Sequence, residues 1–164
     1  MSELIGYNID TYKETITMYR EFRNTFLFGL PGTGKSKFTR SYIEEVIYDK
    51  ADASEIVLIA HKDLGYRSGK IVAEILGDYE NRIRELYATY QARLANPEVK
   101  LLPKLYVFVD GLTKTLKQCT PEVEMLLGEM MEKGPKANVY CVYTSSSRDF
   151  DATLMNGSTV IELK

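Results

Sequence analysis

Thr25-Phe-Leu-Phe-Gly-Leu-Pro-Gly-Thr-Gly-Lys-Ser36 opens with a short apolar run and closes on the pattern Gly-x-x-x-x-Gly-Lys-Ser, spanning Gly29 to Ser36. From Lys35 to Tyr48 the apolar residues Phe38, Tyr42, Ile43, Val46 and Ile47 recur at helical spacing. The pattern therefore lies between a buried strand and the start of an amphipathic helix, the one context in which a glycine-rich loop can aim backbone N–H groups at a phosphate. Gly32 and Gly34 let the backbone wrap closely, and Pro31, Thr33 and Lys37 complete the expected phosphate-binding segment around Lys35 and Ser36. Lys35 is expected to reach the β- and γ-phosphates, and Ser36 to place its hydroxyl on a bridging Mg2+. ATP or a close relative, with Mg2+, is the expected ligand.

Working outward, Glu55-Ile-Val-Leu-Ile-Ala60 is apolar enough to be a strand buried on both faces, which implies a parallel sheet. Asp78 to Leu94 places Ile83, Leu86, Tyr87, Tyr90 and Leu94 on one stripe of a long amphipathic helix. Lys104-Leu-Tyr-Val-Phe-Val-Asp110 is another strand, followed by a helix capped by Thr120 with Pro121 at its first position. Asn138–Tyr143 and Thr159–Leu163 supply two more strands. Leu4–Asn8 and Glu14–Tyr19 suit two short antiparallel strands, an N-terminal β-hairpin. The alternation of strands and helices predicts an α/β fold with a mainly parallel sheet flanked by helices, of the RecA-like kind that resemblance to P-loop proteins implies.

Asp110 ends its strand as the magnesium-holding Asp of a Walker-B strand does, and is expected to act through water. Many P-loop ATPases place a Glu next, to orient the attacking water, and this chain has Gly111. No Asp or Glu occurs between Gly111 and Thr120, so the usual base is missing. Asp110 and Thr144 are the catalytic candidates. Thr144-Ser-Ser-Ser147 suits a γ-phosphate contact and a plain serine-rich loop equally. His61, with Lys62 and Asp63, reads as a loop residue on the binding side of a parallel sheet. Arg82, Arg84 and Arg148 read as solvated charges.

At 164 residues the chain is the size of a single P-loop domain. A formal net charge of -2 gives nucleic-acid binding no support, and the apolar runs are far below the roughly 20 residues that cross a bilayer. There is no secretory leader pattern after Met1, so a cytosolic setting is expected. Cys119 and Cys141 stand apart with no zinc spacing, and Cys141 reads as a small buried hydrophobe.

On Ile5-Gly6, Asp10-Thr11, Gly29 to Ser36, His61-Lys62-Asp63, the Arg-containing helix from Tyr79 to Arg93, Leu105 to Asp110 and Met131 to Tyr140, the chain resembles the FtsK/SpoIIIE-like motor ATPases. It is most similar to the EssC-type ATPase of type VII secretion, at a domain late in its tandem array. The resemblance implies a cytoplasmic domain within a larger membrane-anchored protein, sister ATPase domains as partners and a secreted protein as substrate. Family motors carry Asp-Glu where this chain has Asp110-Gly111, and a Thr-Gln-Arg-like motif where it has Thr144-Ser145-Ser146. Both departures imply feeble or absent hydrolysis and a role in assembly or regulation. An active motor with its base supplied from elsewhere is one alternative, and a P-loop phosphotransferase another. An AAA-type ATPase fits the loop but needs a C-terminal helical lid for which no chain remains.

Overall fold

The computed structural model describes residues 3–7, 24–49, 53–147 and 150–163. Among the described residues seven strands form one sheet: β1 (Glu3–Tyr7), β2 (Thr25–Phe28), β3 (Ser54–Ile59), β4 (Ile71–Ile75), β5 (Lys104–Asp110), β6 (Val139–Ser145) and β7 (Thr159–Leu163). Their spatial order is β1-β7-β2-β6-β5-β3-β4, and every pairing is parallel. The α-helices among the described residues are α1 (Lys35–Tyr48), α2 (Tyr79–Ala95), the short α3 (Leu112–Leu116) and α4 (Pro121–Lys133).

Side-chain alternation along the strands divides the core in two. Phe26, Val57, Ile59, Val107, Val109, Cys141 and Tyr143 face one way, against Ile83, Leu86 and Tyr90 of α2 and Val123, Leu127 and Met130 of α4. Leu27, Ile56, Leu58, Tyr106, Phe108 and Val142 face the other way, against Phe38, Tyr42, Ile43 and Val46 of α1. Strands so covered must be apolar throughout, which is why β2 and β6 are buried at every position. The result is the expected α/β fold, a parallel sheet between helical layers.

Three features differ from the sequence reading. The first strand of the expected N-terminal hairpin is present as β1, but it runs parallel to β7, with Leu4 opposite Val160. Pairing there satisfies backbone groups that an open edge of β7 would leave exposed. Its expected hairpin partner, Glu14–Tyr19, lies outside the described residues, as does Arg148. Second, β4 is an unforeseen strand, half-exposed at the far edge of the sheet and offset by a register shift against β3 between Ile56 and Val57. Third, α3 intervenes directly after Asp110. Of the stripe expected on α2, Leu94 is largely exposed, whereas Ile83, Leu86 and Tyr90 are buried.

Hydrogen bonds tie neighbouring elements together. Tyr87 donates to Glu129 Oε2 at 2.9 Å, and Arg84 donates to Glu80 and Glu122, joining α2 to α4. Buried Arg93 donates to the carbonyl of Pro103 at 2.9 Å, and burial lowers its pKa. Cys119 and Cys141 are free thiols, and burial pushes the Cys141 thiol up to about 12.

Candidate functional site

Parallel strands end at the same side of the sheet, so the segments that follow β2, β3, β5 and β6 converge there. They enclose a cleft of about 450 Å³. Pro31, Lys35 and Ser36 come from the glycine-rich loop and α1, and His61 and Lys62 from the end of β3. Asp110, Gly111 and Lys114 come from the end of β5 and α3, and Thr144, Ser145 and Ser146 from the end of β6. Because β6 lies between β2 and β5, the Thr144 region faces the loop on one side and Asp110 on the other.

The loop has the conformation its glycines permit. Gly34 is the N-cap of α1 with φ of 95°, a left-handed backbone that a β-carbon would strain. The first turn of α1 carries no acidic residue. Its unpaired N–H groups thus present a partial positive charge to the cleft. Lys35 Nζ donates to the loop's own carbonyls, Gly29 at 2.5 Å and Leu30 at 3.1 Å. Partial burial lowers the Lys35 pKa, and the charge of Asp110 opposes that shift. Three lysines and one aspartate line the cleft, a balance suited to a polyanion.

Asp110 and Thr144 face each other across β5 and β6. Thr144 Oγ1 donates to Asp110 Oδ1 at 3.0 Å and accepts the Gly111 N–H at 3.0 Å. Ser145 turns away, its hydroxyl donating to the Ser147 carbonyl at 2.5 Å. Gly111 has φ of 89°, and a β-carbon added there would lie 3.1 Å from His61 Cδ2. The position that carries a Glu in many P-loop ATPases is therefore conformationally a glycine position, and the His61 ring stands where a side chain would begin.

Pro31, Lys35, Ser36, Asp110 and Thr144 line one cleft. Thr33 instead faces a neighbouring cleft of about 370 Å³, with Gly29, Leu30, Ser146, Ser147 and Glu162. Gly32 and Gly34 shape the loop between the two clefts, and Lys37 is exposed and lines neither. His61, read from sequence as a loop residue, is instead hydrogen-bonded through both ring nitrogens.

No group of three or more His, Cys, Asp or Glu side chains that would cage a metal occurs among the described residues. Ser36 and Asp110 nonetheless offer hard oxygen donors in one cleft. That set fits Mg2+, which keeps several waters and takes the remaining oxygens from phosphate.

No protein-family model and no curated protein matches the chain. Solved structures do. The cytoplasmic domain of EssC superposes with a TM-score of 0.65 at 19% identity, over 87% of this chain and 31% of that one. ATPases 2 and 3 of Thermomonospora curvata EccC, solved with a signal sequence peptide, give 0.63 at 14% identity over 78% and 26%. The Pif1 helicase of Candida albicans gives 0.55 at 15% identity over 94% and 39%.

The fold is RecA-like, an α/β parallel sheet flanked by helices. The EssC and EccC structures to which it is similar are ATPase regions of type VII secretion, and the chain spans less than two fifths of each of the three structures. No helix of the described residues is long and apolar enough to cross a membrane.

Proposed function

We propose that this chain is a single nucleotide-binding domain of a longer EssC-like secretion ATPase of the FtsK/SpoIIIE kind, binding ATP with Mg2+ and hydrolysing it feebly or not at all. The observation that carries the reading is the convergence of Lys35 and Ser36 with Asp110 and Thr144 around one cleft. Phosphates would be held by the N–H groups of Gly32 to Lys37 and by Lys35, whose ammonium would exchange the carbonyls of Gly29 and Leu30 for phosphate oxygen. Bound Mg2+ would neutralise phosphate charge, with Ser36 and Asp110 holding it, the latter through water. The nucleoside would extend into the neighbouring cleft beside Thr33 and Glu162.

The same geometry argues against efficient hydrolysis. Gly111 offers no carboxylate, and Thr144 is already engaged with Asp110 and the Gly111 amide. A domain that binds without turning over suits assembly or regulation of sister ATPase domains within a cytoplasmic array anchored to a membrane elsewhere. The signal sequence peptide bound by the EccC ATPases motivates a secreted protein as the substrate of that array.

Titration of the purified chain with a fluorescent ATP analogue, with and without Mg2+, tests the reading, alongside phosphate release. Saturable, magnesium-enhanced binding with negligible turnover is expected. Absence of binding overturns the assignment, and brisk turnover overturns the regulatory part.

A further inference from the structure

His61, just beyond β3, is the only histidine of the chain. Its Nε2 lies 3.3 Å from the Gly111 carbonyl and 3.1 Å from Thr115 Oγ1, and its Nδ1 lies 3.0 Å from the Tyr79 hydroxyl at the start of α2. The ring also packs on that of Tyr79, centroid to centroid 5.0 Å. A carbonyl only accepts, so the ring proton facing Gly111 is Nε2–H. Nδ1 is then an acceptor for the Tyr79 hydroxyl, whose proton is shared with the Ala60 carbonyl, 2.7 Å from the hydroxyl.

Gly111 is thereby held at both ends. Its N–H donates to Thr144 Oγ1, which in turn holds Asp110, and its carbonyl receives His61 and, at 3.1 Å, the Thr115 hydroxyl. The clasp joins β3, the turn after β5, α3 and α2. The loop and Lys35 belong to β2 and α1, and none of the hydrogen bonds of His61 reaches them. We propose that His61 is a positioning residue for magnesium: it fixes the turn at Gly111 and so holds Asp110 where a magnesium-bound nucleotide needs it. The proposal rests on the reading of the cleft as a magnesium–nucleotide site.

Two measurements on the purified chain test it. First, nucleotide affinity is compared in Mg2+ and in EDTA. His61→Ala is expected to bind in EDTA as the parent does but to lose about tenfold with Mg2+, the scale of outer-shell effects on metal sites. His61→Gln, whose amide can still donate to the Gly111 carbonyl, recovers part of the loss, and Tyr79→Phe gives an intermediate one. Equal losses with and without Mg2+, or no loss in either, overturn the positioning role. Second, amide hydrogen exchange over residues 111–116 is followed without ligand. Faster exchange in His61→Ala than in the parent is expected, and unchanged exchange overturns the clasp. A parent chain that binds no nucleotide overturns the reading of the cleft and with it the magnesium role. The exchange measurement needs no ligand and judges the clasp separately.

Discussion

Asp110 and Thr144 are cross-strand partners at the ends of β5 and β6, and the Thr144 hydroxyl bonds the Asp110 carboxylate at 3.0 Å while accepting the Gly111 N–H. Thr144 is almost fully buried, so a substitution that keeps its shape and removes its hydroxyl leaves two polar partners unserved. Thr144→Val should cost about 1–3 kcal/mol of stability, and Thr144→Ser much less. Urea denaturation of the two variants checks this, and equal losses would show that the hydroxyl does not matter.

Lys35 is the charge nearest the expected phosphates, and its present partners are carbonyls of the loop itself. Lys35→Ala removes a charged contact worth roughly 1.5–3 kcal/mol, so affinity should fall about ten- to hundredfold. Direct titration decides it. An unchanged dissociation constant would remove Lys35 from the phosphate site.

Glu80 and the start of α4 predict a pH effect. The Glu80 carboxylate accepts the Thr120 N–H at 2.6 Å and lies 3.4 Å from Arg84, and these contacts, the Thr120 bond foremost, lower its pKa below the ordinary 4.5. A depressed acid pKa means that the fold favours the charged form. Its contribution is present above the ordinary carboxylate range and lost as pH falls through the folded-state value. Glu80→Gln should therefore lie below the parent in stability at neutral pH and converge on it as pH falls below the ordinary carboxylate range. Parallel stability curves for the two proteins would contradict this.

Much of this site is legible in the sequence because its signals are local. The spacing Gly29 to Ser36 names the loop, the apolar run into Asp110 names the opposing strand, and a parallel sheet obliges their ends to meet. What escapes are features set by partners distant in sequence or by weak patterning. His61 and Gly111 are 50 residues apart, and nothing near either announces the other. β4 reads poorly because an edge strand is half solvated and need not be apolar. α3, Leu-Thr-Lys-Thr-Leu, is five residues rich in Thr, and only its docking as Leu112 and Thr115 enter the interior makes it a helix. Lys37 follows Ser36 in the loop pattern, but one residue along a helix turns the side chain by about a quarter of a turn, and Lys37 is exposed.

The missing base at position 111 suggests a repair, Gly111→Glu, and the structure bears directly on its outcome. Gly111 is in the left-handed region with φ of 89°, where an L-residue costs about 1–2 kcal/mol. A new β-carbon would also lie 3.1 Å from His61 Cδ2, and the ring is not free to retreat, because both of its nitrogens are engaged. The glutamate must therefore either displace His61 or turn the backbone at Gly111, and each response disturbs the turn that carries Asp110. A well-placed base contributes about 10² to 10⁴ in rate, but only at hydrogen-bond distance from its water, so this variant should lose stability without gaining turnover. Pairing it with His61→Ala relieves the contact but keeps the backbone strain and removes the clasp at Gly111, so the double variant should regain some stability over Gly111→Glu and still show no turnover. Phosphate release and thermal melting of the parent, both single variants and the double variant check this order. Robust turnover by Gly111→Glu alone, with parental stability, would show that the turn is pliable and that hydrolysis lacks only the carboxylate.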